Sequence, residues 1–259
     1  MRIAHICPSL HEITGRLADP GLPAAGMVIV HPDFARRIDL PGAGLCARPI
    51  DIDRSRTGFV DLVSLRVYSF VAGMVIDGLA EDDEVFIVAM DGKAAITVTP
   101  DGDQAEAFSL QRDDGSRAIY MPPRAAYRLT AITDCDIAYA RVQPLTAQVP
   151  RARAFSAGAG GLEITDYATA MDLALCMVRA GEHLERSRDD ALPERFVHVR
   201  SRNGLVATLN GDTVEDWSSA TLDQGGDMML AVAAGAAEVL IIAASTGRKQ
   251  GSRGETGIP

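Results

Sequence analysis

The side chains best suited to chemistry are few in this chain of 259 residues: five histidines (His5, His11, His31, His183, His198) and four cysteines (Cys7, Cys46, Cys135, Cys176). No two cysteines form CxxC and no two histidines stand at HxH or HxxxH spacing. Zinc ribbons, dithiol redox centres and metalloprotease helices therefore have no local motif here, and a soft metal would need ligands from distant parts of the chain. The best metal-like pair is Glu194 with His198, four apart in the alternating run ERFVHVR, hence on one face of a strand; His183 lies upstream. Glu194, if buried, would also suit a general base, because desolvation raises a carboxyl pKa. Asp189, Asp190 and Glu194 together would suit a hard cation such as magnesium or calcium. The bland reading of the same residues is an acidic solvated loop before a strand that holds a satisfied histidine. His5, Cys7 and His11 lack a fourth ligand in a segment broken by proline. A second group, Arg66, Tyr68, Tyr120 and Tyr127, combines a guanidinium that can pair a carboxylate with phenols that can bond hydroxyls. Packing is the competing role for each. The run Glu81-Asp82-Asp83-Glu84 reads as a solvated loop with Glu84 turned inward.

Composition narrows the partners. With 25 Lys+Arg against 35 Asp+Glu the formal charge is −10, and the isoelectric point is near 4.9. Nucleic-acid affinity depends on clustered cations, so neither nucleic acid nor a membrane surface is expected as partner. Met228 to Ala244 is the longest apolar stretch, too short for a bilayer and interrupted by Glu238. The start MRIAHICPSL shows no long apolar run or small-residue cleavage site, and four widely spaced cysteines read as reduced, so a cytoplasmic protein is expected.

The elements that must position these residues are short strands. Residues 1–59 are rich in Pro and Gly; Ala25 to His31 reads as a strand, and HPDFARRIDLPGAG as a turn followed by irregular chain. From residue 60 apolar runs alternate with turns: Leu62 to Phe70, Glu84 to Met90, Asp91-Gly92, Lys93 to Thr99, Ala105 to Leu110, Arg117 to Met121, Tyr127 to Ile132 and Asp136 to Val142. Turns every 8 to 12 residues indicate a β-sandwich or barrel. After a linker at 146–164 containing SAGAGG, the cadence returns: Ala170 to Val178, Glu194 to Arg200, Leu205 to Leu209, Asn210-Gly211, Ala220 to Leu222, Asp227 to Val232 and Glu238 to Ala244. Asp61-Leu62 to Ala72-Gly73 parallels Asp172-Leu173 to Ala180-Gly181, and Glu84 and Phe86 parallel Glu194 and Phe196. Such a repeat implies a duplicated β-domain over 60–145 and 165–245, with a disordered tail at 246–259.

The order of signals resembles the cupin barrel. In that family the first motif is G(X)5HXH(X)3–4E(X)6G and the second G(X)5PXG(X)2H(X)3N. Here Gly73, MVIDG, Leu79-Ala80-Glu81, Glu84, VFIVAMD and Gly92 follow the first without its histidines, and Gly115, SRAIYM, Pro122, Arg124 and Tyr127 follow the second, with Tyr127 at the histidine position. EVFIVAMDGKAAITV and GSRAIYMPPRAAYRLTAITDCDIAYARV resemble the N-terminal cupin of the 5-deoxy-glucuronate isomerase (KduI/IolB) family of inositol catabolism. The resemblance implies an all-β chain of two cupin-type (double-stranded β-helix or jelly-roll) barrels that isomerises a deoxy-uronate from aldose to ketose, with a divalent metal, zinc in that family, in the C-terminal barrel. Carried over by position, Gly181, EHLER and Ser187-Arg188-Asp189 stand where the HXH motif belongs, Glu194 matches the ligand glutamate, and Gly226 to Glu238 contains no histidine. The expectations are therefore Glu194 as catalytic base, Arg66, Tyr120 and Tyr127 as substrate ligands, and a metal held by His198, Glu194 and His183, or no metal at all. The alternative is an inactive, metal-free cupin that binds a sugar acid or a partner protein. A homodimer is expected, because edge strands and an apolar face usually find a partner.

Overall fold

The computed structural model describes residues 26–244, apart from 41, 114, 188–192, 202–203 and 224–226. His5, Cys7, His11, Asp189, Asp190 and the tail at 246–259 lie outside the described residues. The strands are β1 (Met27–Val30), β2 (Arg37–Leu40), β3 (Gly44–Asp53), β4 (Leu62–Phe70), β5 (Val75–Leu79), β6 (Glu84–Asp91), β7 (Lys93–Thr99), β8 (Glu106–Gln111), β9 (Ser116–Met121), β10 (Ala126–Ala131) and β11 (Cys135–Val142). They continue as β12 (Arg153–Ser156), β13 (Leu162–Ile164), β14 (Met171–Arg179), β15 (His183–Arg186), β16 (Glu194–Ser201), β17 (Val206–Leu209), β18 (Asp212–Val214), β19 (Ser219–Leu222), β20 (Met228–Ala234) and β21 (Ala236–Ala244). One turn of helix, α1 (Arg54–Thr57), is capped by Asp53, whose carboxylate accepts from the Ser55 amide, and ends at Gly58 in the left-handed conformation.

Strands β2 to β12 form one sheet, in the order β2-β3-β4-β11-β6-β9-β8-β7-β10-β5 with β12 added on β9, which curls into the first barrel. The second barrel is a six-stranded sheet, β1-β19-β16-β21-β14-β13, facing a four-stranded one, β15-β20-β17-β18. Turn chemistry fixes the hairpins. Asn210 and Gly211 both have positive φ (50° and 91°) between β17 and β18, as a two-residue hairpin requires. At Gly92 (φ +67°) an added Cβ would sit 2.1 Å from the Asp134 carbonyl oxygen, so the β6–β7 turn admits only glycine.

Strand alternation then divides the side chains between three cores. β6 sends Val85, Ile87 and Ala89 into the first barrel and Phe86, Val88 and Met90 onto its outer face. β16 sends Val197 and Val199 into the second barrel and Phe196 outward, and β21 does the same with Val239 and Ile241 against Leu240 and Ile242. The two outer faces pack on each other in a seam, which explains why runs such as EVFIVAM are apolar throughout instead of alternating. Phe59–Phe196 (5.5 Å), Phe86–Tyr120 (5.5 Å) and Phe155–Tyr167 (5.0 Å) ring pairs lie along it.

The segments that flank the barrels are exchanged. β1, ahead of the first barrel, pairs with β19 of the second from Met27↔Leu222 to Val30↔Ser219. β12, ahead of the second barrel, pairs with β9 of the first. Thus 146–164, expected as a linker, holds β12 and β13, and the chain after His31, expected to be irregular, forms the β2–β3 hairpin. β12 owes its strand character to β9, a partner far away in sequence, whereas β2–β3 is a local hairpin.

A seam of this kind should make the barrels unfold as one unit. In urea, fluorescence of the single tryptophan, Trp217, should coincide with far-UV circular dichroism. Phe196→Ala should shift both signals together, with a loss of about 3–5 kcal/mol for a fully buried phenylalanine; two separate transitions would contradict the shared core.

Candidate functional site

Glu194 begins β16 on the seam face, outside the barrel chamber. Its Oε1 accepts from the Val60 amide (2.5 Å), and its Oε2 accepts from the amides of Asp61 (2.9 Å) and Leu62 (2.7 Å), the residues leading into β4 of the other barrel. Glu84 begins β6 and does the same in reverse. Its carboxylate accepts from the Thr169 amide (2.8 Å) and hydroxyl (2.8 Å) and the Ala170 amide (3.1 Å), which lead into β14. Tyr120 also donates to it at 2.7 Å. Glu194, expected as catalytic base and metal ligand, is instead an acceptor for three backbone donors. Tyr120, expected as a substrate ligand, lies in the seam, because alternation along β9 gives the chamber to Ile119 and Met121. Burial, with Glu84 adding, pushes its phenol well above the ordinary range.

His198 shares the face of Glu194, as its spacing predicts, but that face is the seam. The ring is fully buried, Nδ1 is 2.8 Å from Ser219 Oγ, and Nε2 is without a hydrogen-bond partner. Burial, with Arg200 adding, holds its pKa down to about 3, so it is neutral at working pH. His183 lies on β15 in the opposite sheet, with Nε2 3.8 Å from Glu185. The three residues expected to share a metal are therefore not brought together. The second barrel's chamber is filled by Cys176, Val178, Leu184, Val197, Val199, Leu230 and similar side chains. Among the described residues no group of three His, Cys, Asp or Glu is placed to hold a metal ion. The described residues do not supply the donor set of a cupin zinc site.

Chemistry gathers instead at one end of the first barrel. Asp51 on β3, Arg66 on β4 and Tyr139 on β11 are register partners across three neighbouring strands. Arg66 Nε is 3.2 Å from Asp51 Oδ1, and Arg48 pairs the other oxygen at 2.8 Å. Tyr68, two residues along β4, packs on the chamber core and stacks on Phe70 (5.5 Å). Tyr127 on β10 hydrogen-bonds Tyr139, with ring centroids 6.1 Å apart. Its register partner Gly78 leaves room for the ring, since a Cβ there would lie 2.3 Å from Tyr127 Cζ. Arg141, two residues past Tyr139, donates from Nε to Asp83 at 2.7 Å and also bonds Glu81. Burial pushes the Tyr127 phenol up to about 12, with Tyr68 adding and Arg141 and Arg66 opposing. Burial likewise raises the Asp83 carboxyl against the pull of Arg141.

Arg66 and Tyr127, expected as substrate ligands, thus lie in one cluster, with Tyr68 beside them. Tyr139, Arg141 and Asp83 were missed. The signal for Tyr139 and Arg141 was available in the alternation of DIAYARV, opposite Arg66; Asp83 was hidden in an acidic run that reads as solvated.

Residues 47–158 match the model of the KduI/IolB family. No curated protein matches the chain. Among solved structures the chain is similar to protein Ylba from E. coli, at 13% identity over 90% of this chain and 96% of that one, with a TM-score of 0.63. An IolB-like protein from Salmonella typhimurium LT2 aligns at 14% identity over 76% of this chain and 88% of that one, TM-score 0.58. Oxalate decarboxylase of Bacillus subtilis, described with Mn(II) centres, aligns at 8% identity over 87% and 78%, TM-score 0.60. At these identities the likeness carries the fold, which is all-β and cupin-type.

Two outcomes follow from the geometry. Glu194→Ala leaves three backbone donors in the seam without an acceptor and should cost about 3–5 kcal/mol in chemical denaturation. His198 is protonated more readily unfolded than folded, so stability should fall as pH drops from about 6.5 toward 3, by up to about 1.4 kcal/mol per pH unit. His198→Gln should flatten that part of the stability–pH curve; an unchanged acid slope would contradict the buried neutral imidazole.

Proposed function

We propose that this chain, whose residues 47–158 match the model of the KduI/IolB family, is an isomerase-type cupin that binds a deoxy-uronate or similar sugar acid at the cluster of Arg66, Tyr127 and Tyr139 in its first barrel. The observation that carries this reading is the meeting of Arg66, Tyr68, Tyr127 and Tyr139 inside the matched segment. Arg66 offers a guanidinium to the sugar carboxylate in exchange for one oxygen of Asp51, which keeps Arg48. Phenols kept neutral by burial donate to sugar hydroxyls. Binding needs no metal in this arrangement.

Turnover is the second reading, and Asp83 favours it. Aldose–ketose isomerisation moves a proton between adjacent carbons, and a carboxyl whose pKa is raised by burial is suited to take and return it. Arg141, bonded to Asp83, and its neighbour Tyr139 would face the enediolate oxygen as donors.

Thermal shift and calorimetric titration with D-glucuronate test the first reading. The melting temperature should rise saturably and equally with or without EDTA. Arg66→Gln should weaken affinity by about tenfold or more, and Tyr127→Phe by several-fold, consistent with loss of one charged or one neutral hydrogen bond. Uronates that bind no better than glucose would overturn it. Interconversion of aldose and ketose uronates, abolished in Asp83→Asn with binding retained, would establish the second.

A further inference from the structure

A different site lies at the seam, where Arg112 and Arg117 of the first barrel meet β14 and β21 of the second. Two adjoining cavities of about 160 and 310 Å³ share Arg112, Met177 and Glu238 as walls. The smaller adds Met90 and Arg200, and the larger adds Asp113, Arg117, Arg179 and the loop Ala157–Gly161. The loop contributes backbone and almost no side chain, and Gly161 has to be glycine: at φ +109° its Cβ would stand 2.2 Å from the Leu175 carbonyl oxygen.

Arg112, Arg117 and Arg179 line the larger cavity against the carboxylates of Glu238 and Asp113, while Arg200 in the smaller one has carboxylate partners of its own. Arg117, with 5% of its side chain exposed, bonds Glu238 Oε1 at 2.8 Å and the Arg112 carbonyl at 2.8 Å, while its Nε is without a partner. Arg200 pairs with Asp136 (2.7 Å) and Asp216 (3.3 Å) and likewise leaves Nε unpartnered. Arg112 reaches Glu238 Oε2 only at 3.5 Å, and that oxygen accepts no hydrogen bond. Arg179 is exposed at the rim. Buried guanidinium groups normally satisfy their fork of donors, so this set is incomplete. Burial also depresses the Arg117 pKa, the direction a further anion would reverse.

We propose that this seam cavity binds a small multivalent oxyanion, a phosphate or a dicarboxylate, through Arg112, Arg117 and Arg179. An anion seated there would touch the β8–β9 turn of the first barrel and β14 and β21 of the second at once. Its binding would stiffen the seam, independently of whether the first barrel binds sugar acids.

The test is thermal shift and calorimetric titration of the whole chain with inorganic phosphate and with malonate, against sodium chloride at matched ionic strength. Both anions should raise the melting temperature saturably beyond chloride; the tighter of the two identifies the class. Arg112→Gln with Arg179→Gln should reduce affinity at least tenfold, whereas Arg66→Gln at the sugar-acid cluster should leave it unchanged. Should the double variant fail to fold, the exposed Arg179→Gln alone should still weaken binding several-fold. A response no greater than that to chloride, or a folded double variant that responds like the parent chain, would overturn the proposal.

Discussion

Everything in this molecule depends on two carboxylates that hold the barrels face to face. Glu84 of the first barrel takes the amides that lead into β14 of the second, and Glu194 of the second takes the amides that lead into β4 of the first. Each is a charged acceptor for backbone donors that have no strand partner, buried where an unmet donor would cost the most. Around them the outer faces of β6, β9, β14, β16 and β21 close a common apolar core. The exchange of β1 and β12 between barrels then makes each barrel's edge the other's responsibility, so that neither is a separable unit.

That constraint decides where chemistry can occur. A side chain committed to the seam is lost to the chamber behind it, because successive residues of a strand point to opposite sides. Glu194, Tyr120 and His198 all fall on the seam side, and the described core of the second chamber is made of residues such as Val178, Leu184, Val197 and Leu230. In the first barrel Arg66, Tyr127 and Tyr139 come together on the chamber side.

The fold was legible in the sequence because its strands are short, β-rich and separated by turn residues whose geometry is restrictive. Leu62 to Phe70 and Lys93 to Thr99 are strands over those same bounds. The repeat of Glu-x-Phe at 84 and 194 marked equivalent strands, and the structure gives the pair equivalent partners. What the repeat could not reveal is the face on which each glutamate lies. Alternation says that Glu194 and His198 agree with each other; only the partner barrel decides that the agreed side is the seam. The same applies to β12 and β13, which read as linker since their ladder partners are more than thirty and about ten residues away along the chain. Asp83 escaped notice for a related reason: its partner Arg141 stands 58 residues further along the chain, a meeting that pattern alone does not reveal.

The account turns on Glu194 serving the seam and not a metal. Titration of the purified chain with Zn(II) and Mn(II), followed by gel filtration and elemental analysis of the protein peak, addresses this directly. The account predicts no stoichiometric metal that depends on Glu194: any retained ion should be unaffected by Glu194→Gln in protein that remains folded. One equivalent of metal per chain, lost in that variant while the fold persists, would contradict it.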